Sequence, residues 1–227
     1  MSLDIRWYSD RNIFDKRIVR LLSDLGLDLV IDVGANRGQF GSTLYEHGFG
    51  GTLVSFEPIP AAYGILEEVA ARSGQDWRVA PRLALTSAEG TAYLTLAQNS
   101  ASSSLLEFSE QMGTVVPVAK AVDRLSVATA RLDEVLDTLG LKHRRFALKI
   151  DTQGSEMAVL EGSTGVEAQI GLIMLEASIA QLYVGQPSYH EIDQYLRQKG
   201  WSLRDIEPGY RNPRTLHLCE FDAVYVR

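Results

Sequence analysis

The chain has 227 residues and a formal net charge of −7, with 45% hydrophobic residues. That length suits one α/β domain with a full-size core. The acidic balance, without a long basic run, argues against a nucleic-acid enzyme, which would carry a basic excess or stripe. No apolar run reaches the ~18 residues needed to span a bilayer. The N-terminus lacks the apolar core of a signal peptide. Its one cysteine, Cys219, has no intramolecular disulfide partner. A cytoplasmic protein is the expectation.

In chain order, residues 10–25 predict an amphipathic helix. Phe14, Ile18, Leu21, Leu22 and Leu25 share one face, and Gly26 closes it. Arg6, Trp7 and Tyr8 precede it as a structural segment or an acceptor-site lid. Leu29–Val33 is apolar apart from Asp32, as befits a strand buried on both faces. Gly34 and Gly38 let the backbone turn tightly there, and Phe40, Leu44 and Tyr45 recur at helical spacing beyond. A strand, glycine turn and helix in succession cradle a nucleotide-like cofactor.

The spacing selects among cofactors. A dinucleotide fingerprint wants a second glycine where Asn36 stands, so the turn is not shaped for a pyrophosphate. Asp32, placed before the first glycine, suits a cationic amino group. Thr52–Phe56 reads as the second strand and ends in Glu57-Pro58. Glu57 lies about 20 residues past the turn, where an acid binds both hydroxyls of a ribose. These features point to S-adenosylmethionine (SAM), with an NAD-dependent oxidoreductase and a non-catalytic SAM-binding protein as alternatives.

Further on, Pro60 opens a helix with Ala62, Ile65, Leu66 and Val69 on its buried face. Trp77–Leu85 reads as a third strand, ending with Ala84 near the adenine. Thr91–Ala97 reads as a strand that forms a hairpin after Glu89-Gly90. Residues 98–118 are small, polar and aperiodic, and read as a long loop or lid. Leu132–Leu139 is helical. Phe146–Ile150 is the fourth strand, with Asp151 at its end, and Ser155–Glu161 is helical. Ile170–Leu175 is the fifth strand, with Glu176 at its end. Ser188 and Glu191 make a capping box for the next helix. Trp201–Ile206 and Leu216–Val226 read as two final strands, joined by a loop that could line an acceptor site. No repeat or linker divides the chain, so residues 1–227 are read as one domain.

The segments Ile31-Asp32-Val33-Gly34-Ala35-Asn36-Arg37-Gly38-Gln39-Phe40 and Phe56-Glu57-Pro58 resemble the first two motifs of the FkbM family of SAM-dependent methyltransferases. Arg131–Leu136, the Lys149-Ile150-Asp151-x-x-Gly154-x-Glu156 segment, and Phe221–Arg227 agree in order. Ser103-Ser104-Leu105 also resembles the family. The resemblance implies a class I methyltransferase fold, a Rossmann-like doubly wound sheet of seven strands, mostly parallel with an antiparallel C-terminal strand. It also implies O-methylation of a small-molecule acceptor, a sugar, glycan or natural product. The candidate cofactor residues are Asp32, Gly34, Asn36, Gly38, Phe40, Glu57, Pro58, Ala84, Ser104 and Asp151. Gln153 departs from the family, which often has Glu there. A homodimer is compatible with these readings.

Methyl transfer from a sulfonium requires the acceptor oxygen in line with the methyl group. A hydroxyl must also lose its proton, to a general base or with the help of a divalent cation. Asp151 and Glu176 follow apolar strands at the edge where cofactors bind, and are candidates for the base or for joint ligands of Mg²⁺. His217 is a further candidate base in the last hairpin. Lys149 is expected to pair with a neighbouring acid, and Gln181, Tyr183 and Tyr210 are candidate acceptor contacts.

Overall fold

The computed structural model of the chain describes residues 13–141 and 143–227. Arg6, Trp7, Tyr8, the first residues of the expected opening helix, and Lys142 lie outside the described residues. The chain then runs α1 (Phe14–Asp24), β1 (Leu29–Val33), α2 (Gln39–Glu46), β2 (Thr52–Phe56), α3 (Pro60–Ser73) and β3 (Trp77–Val79). The middle comprises β4 (Ala84–Leu85), β5 (Gly90–Ala97), a 3-10 turn (Ser100–Ser102), α4 (Met112–Val115) and β6 (Ala121–Ala130). The last part comprises α5 (Leu132–Thr138), β7 (Phe146–Ile150), α6 (Glu156–Gly162), β8 (Ile170–Ser178), α7 (Tyr189–Gln198), β9 (Ser202–Pro208) and β10 (Glu220–Val226).

Seven strands form the main sheet in the order β3-β2-β1-β7-β8-β10-β9. β3, β2, β1, β7 and β8 pair in parallel, and β10 runs antiparallel to both β8 and β9. Every residue of β1, β2 and β7 is buried, which is why their sequences are nearly continuous apolar runs. Alternate side chains feed two cores. Leu29, Ile31 and Val33 face α5, α6 and α7 through Leu132, Val159 and Ile192. Val30, Leu53 and Ala147 face α1, α2 and α3 through Ile18, Leu44 and Leu66. Pro60 sits in the first turn of α3, and the Ser188–Glu191 capping box starts α7.

The expected third strand, Trp77–Leu85, is two strands in two sheets. β3 stays beside β2, whereas β4 pairs in parallel with β6 in a small sheet of order β4-β6-β5. Pro81 lies between them and has no N–H with which to continue a ladder. β5 therefore pairs with β6 and not with the strand before it, so the expected hairpin is replaced by an arm closed from downstream. β6 escaped the sequence reading because most of it is exposed and no apolar face marks it. β8 continues past Leu175, which puts Glu176 inside the strand. β10 begins at Glu220 rather than Leu216.

The segment expected as a long loop or lid, 98–118, carries the 3-10 turn and α4, and its Met112 packs in a small core with Leu182 and Tyr183 from the loop after β8. It is tied down by the backbone pair Thr95–Ser104 and by the Tyr210 hydroxyl, which donates to the Val115 carbonyl at 2.7 Å. It roofs the carboxyl edge of the main sheet, the side on which open α/β sheets take their ligands.

Candidate active site

The site begins where β1 ends. Gly34 has φ +77°, and a Cβ there would stand 1.8 Å from the carbonyl oxygen of Asp151, so only glycine lets the ends of β1 and β7 come this close. Two residues on, Asn36 turns its backbone N–H onto Glu57 Oε2 at 2.8 Å. The N–H of Ile59 takes Glu57 Oε1, also at 2.8 Å. The Glu57 carboxylate is thus pinned by two backbone donors, and its remaining lone pairs line a cavity. Burial pushes its pKa up to about 7, against the pull of those two N–H groups.

Glu57, Ser100, Ser103 and Ser104 give this cavity its polar lining, and Pro58, Ile59, Leu83, Ala84, Leu94 and Leu105 its apolar lining. Its volume of about 230 Å³ falls below the roughly 300–1,000 Å³ usual for a ligand pocket. Gly34, Asn36, Ala101 and Asp151 also line a second recess, so one elongated ligand would occupy both. The arrangement fits SAM. A carboxylate with free lone pairs suits a ribose diol, an apolar slot suits an adenine, and a glycine that tolerates no Cβ allows close approach.

The second recess is lined by Phe14, Asp15, Phe40, Lys149 and Asp222. Lys149 Nζ lies 3.0 Å from Asp32 Oδ1, 3.6 Å from Asp151 Oδ2 and 5.5 Å above the Phe40 ring. Burial pulls the Lys149 pKa down, but Asp32 and Asp151 raise it further, and the ammonium stays protonated. Asp32 is fully buried beneath it and also accepts from the Ser55 hydroxyl at 3.2 Å.

Gln153 organises the far end of the cavity. Its Nε2 donates to Asp151 Oδ1 at 3.0 Å and to Glu176 Oε2 at 2.5 Å. Its Oε1 accepts from the Tyr183 hydroxyl at 2.9 Å, and its carbonyl accepts from the Ser104 hydroxyl at 2.7 Å. Gln153 has φ +55°, held by the loop into α6. There Glu156 Oε1 accepts from the N–H groups of Thr152 and Gly154. Burial and the nearby charges of Asp151 and Glu220 push the Glu176 carboxyl well above its ordinary pKa. Burial likewise raises Glu156 to about 7 and Asp222 to about 6.

Gly34, Asn36, Glu57, Pro58, Ala84, Ser104, Asp151 and Glu176 therefore meet around one cavity, and Phe40 lines its neighbour. Four expectations are corrected. Asp32 does not reach either cavity, because Lys149 and Ser55 hold its carboxylate under the sheet edge. Gly38 faces Trp77 and Leu66, so its lack of a side chain serves packing against α3 and β3 rather than a ligand. His217 is exposed on the loop before β10 and lines neither cavity. Asp151 and Glu176 do not fit Mg²⁺. The Gln153 amide points its hydrogens at both carboxylates, where a cation would need bare oxygen. Among the described residues no three His, Cys, Asp or Glu side chains gather as a metal site.

Tyr183 is fully buried and spends its hydroxyl on Gln153, while Tyr210 spends its own on Val115. Sequence reasoning missed Ile59, Leu94, Ser100 and Ser103. The one advance signal for Gln153 was its departure from the Glu often found at that position.

A family model described as the methyltransferase FkbM domain matches residues 32–203. The chain belongs to the FkbM methyltransferase family. This sets aside the oxidoreductase alternative and makes the protein a methyltransferase of the SAM-dependent type. An O-methyltransferase from Bacillus cereus in complex with SAH is similar in fold, with TM-score 0.53 and 13% identity, over 99% of this chain and 84% of that one. An uncharacterized protein from Listeria monocytogenes serotype 4b is similar with TM-score 0.51 and 8% identity, over 97% and 68% of the two chains. At such identities the likeness concerns the fold alone, which is the class I α/β fold of methyltransferases. A comparison with curated proteins finds no significant match. Among the described residues no helix is long and apolar enough to cross a membrane.

Proposed function

We propose that this FkbM-family protein is an O-methyltransferase that moves a methyl group from SAM to a hydroxyl of a small molecule, a sugar, glycan or natural product. The observation that carries the reading is the pair Asp151 and Glu176. Asp151 directly follows β7 and Glu176 lies on β8, each one residue past the Ile150–Leu175 pair, and both are clamped by Gln153 at the end of the cofactor cavity. SAM supplies an electrophilic methyl group, and the chain's own residues supply the rest. Glu57 accepts from the ribose hydroxyls, and Ile59, Leu83, Ala84, Leu94 and Leu105 flank the base. Asp151 lines both recesses and aligns the acceptor hydroxyl. A carboxylate of the pair takes the proton as the new oxygen–carbon bond forms. No step needs a metal ion.

The test is an acceptor screen of hydroxylated sugars and polyketides with labelled SAM, with the site of the label located by mass spectrometry. A methyl ether whose formation is abolished in Asp151→Asn supports the reading. Label carried only on nitrogen or carbon overturns the O-transfer assignment. SAM binding without turnover on any acceptor favours a non-catalytic SAM-binding protein.

A further inference from the structure

Glu220 belongs to neither cavity, yet it is 6% exposed and its Oε1 has no hydrogen-bond partner among the described residues. A buried carboxylate oxygen left in this state is costly unless it carries or shares a proton. Its place in the sheet shows with what. In the antiparallel pairing of β8 and β10, Asp222 stands opposite Glu176 and Glu220 opposite Ser178. Paired residues project to the same side, so Glu176, Ser178, Glu220 and Asp222 share one face. Glu176 and Glu220 are then diagonal neighbours, about 7–8 Å apart at Cα and within reach of each other's long side chains. Glu176 meets the cavity with Oε2 held by Gln153, and Glu220 stands behind it.

We propose that Glu220 is a positioning residue of the catalytic pair: it and Glu176 hold one proton between them, and this shared site receives the proton of the acceptor hydroxyl. The proposal rests on the O-transfer reading for its catalytic part only. In the step, the acceptor O–H gives its proton to Glu176, and the acceptor oxygen bonds to the methyl carbon. The sulfur–methyl bond breaks with its electron pair left on sulfur, and the sulfonium becomes a neutral thioether. The pair then holds two protons and returns one to water after the product leaves.

The surroundings suit this role. Glu176 is faced by Asp151 and Gln153 from the loop after β7, Glu156 from α6, and Glu220 and Asp222 from β10. Glu220 is faced by Asp151, Glu156 and Asp222, and its charge is felt at Tyr183 and Tyr210. Lys149, the cation at this end, is committed to Asp32 and Asp151. Burial and these like charges push the Glu220 carboxyl up to about 7. One proton is thus exchangeable near neutrality, as two crowded carboxyls require.

The test uses the ligand-free full chain first. Infrared titration with isotope-labelled glutamate reads the C=O band of protonated carboxyls in wild type, Glu220→Gln and Glu176→Gln. Sharing predicts that each substitution lowers the titration of the remaining partner by about one pH unit or more. The acid limb of kcat/KM, set in wild type by the lower titration of the pair, should move up in Glu220→Gln, where a single carboxyl remains, with SAM affinity unchanged. An unmoved titration in a folded variant overturns the proposal, and the reciprocal variant decides if one of the two fails to fold. If no hydroxyl acceptor is ever turned over, the O-transfer reading has failed while the infrared result still decides the shared proton.

Discussion

Glu57 and Glu176 both lie at the carboxyl edge of the sheet, but the two halves of the site hold them differently. Glu57 is fixed by backbone N–H groups from the turns after β1 and β2. Glu176 is fixed by the Gln153 side chain, which Tyr183 steadies in turn. The cofactor half therefore meets its cavity with one buried acid, Glu57, in a frame of main chain. The acceptor half has Asp151, Glu156, Glu176, Glu220 and Asp222 in a side-chain network with Lys149 as its cation. A main-chain frame tolerates change in its neighbours. A side-chain network passes each change along, because every member orients or charges the next.

The largest effect is collective and concerns pH. Burial raises Glu57, Glu156 and Glu220 to about 7 and Asp222 to about 6, above ordinary values of 4.5 and 3.8. Between those limits the folded chain binds more protons than the unfolded chain, so stability falls as pH rises through the window. This is the reverse of a salt-bridged carboxylate. Urea unfolding of the ligand-free protein should show a loss on the order of several kcal/mol from pH 5 to pH 8. Removing acids of the acceptor half should flatten that slope more than Glu57→Gln does. A slope of the opposite sign would mean that these carboxyls are solvated.

Next comes the ion pair under the turn. Lys149→Met removes the cation over Asp32, which is fully buried and keeps only Ser55 as a donor. Breaking a buried pair from one side costs about 3–5 kcal/mol, since the other charge is left uncompensated. Chemical denaturation measures it. A loss below about 1 kcal/mol would show that the pair is dispensable, as exposed pairs are.

Glu57→Gln strikes the cofactor half alone. It replaces a charged acceptor by a neutral amide, and SAM affinity should fall by roughly 1.5–3 kcal/mol. Turnover at saturating SAM should change little, because the acceptor network is untouched. Calorimetry with SAM and its product gives the first number, and initial rates give the second.

How far these halves were legible in the sequence follows from the same contrast. β1, β2 and β7 are buried on both faces, so their apolar runs announced them, and Gly34, Asn36 and Glu57 follow directly along the chain. The acceptor network draws on Ser104, Asp151, Gln153, Glu176, Tyr183 and Glu220, of which only Asp151 and Gln153 share a local motif. Their meeting depends on the antiparallel return of β10 and on the roof built by 98–118. β6 was unreadable because a strand with little buried surface leaves no hydrophobic alternation. Asp32 misled because an acid before a glycine turn suits a ligand cation and a buried lysine equally well, and only the register of β1 against β7 brings Lys149 beside it.

The smallest effect is the sharpest test of separability. Tyr183→Phe removes only the hydroxyl that donates to Gln153 Oε1 and lies 3.1 Å from the Ser102 carbonyl. The ring keeps its edge contact with Phe108 at 5.7 Å, so the small core around it stays filled. One neutral hydrogen bond is worth about 1 kcal/mol net, or a factor of about five in a rate that depends on it. Tyr183 lines neither cavity, and its influence runs through Gln153 to Asp151 and Glu176. Turnover should therefore drop about fivefold while SAM affinity holds, and a Gln153→Ala background should abolish the difference between Tyr183 and Phe. If SAM affinity falls in step with turnover, Gln153 serves both halves and the division between main-chain frame and side-chain network fails. If neither changes, the clamp on Glu176 is held by Asp151 and Gln153 without help from the roof.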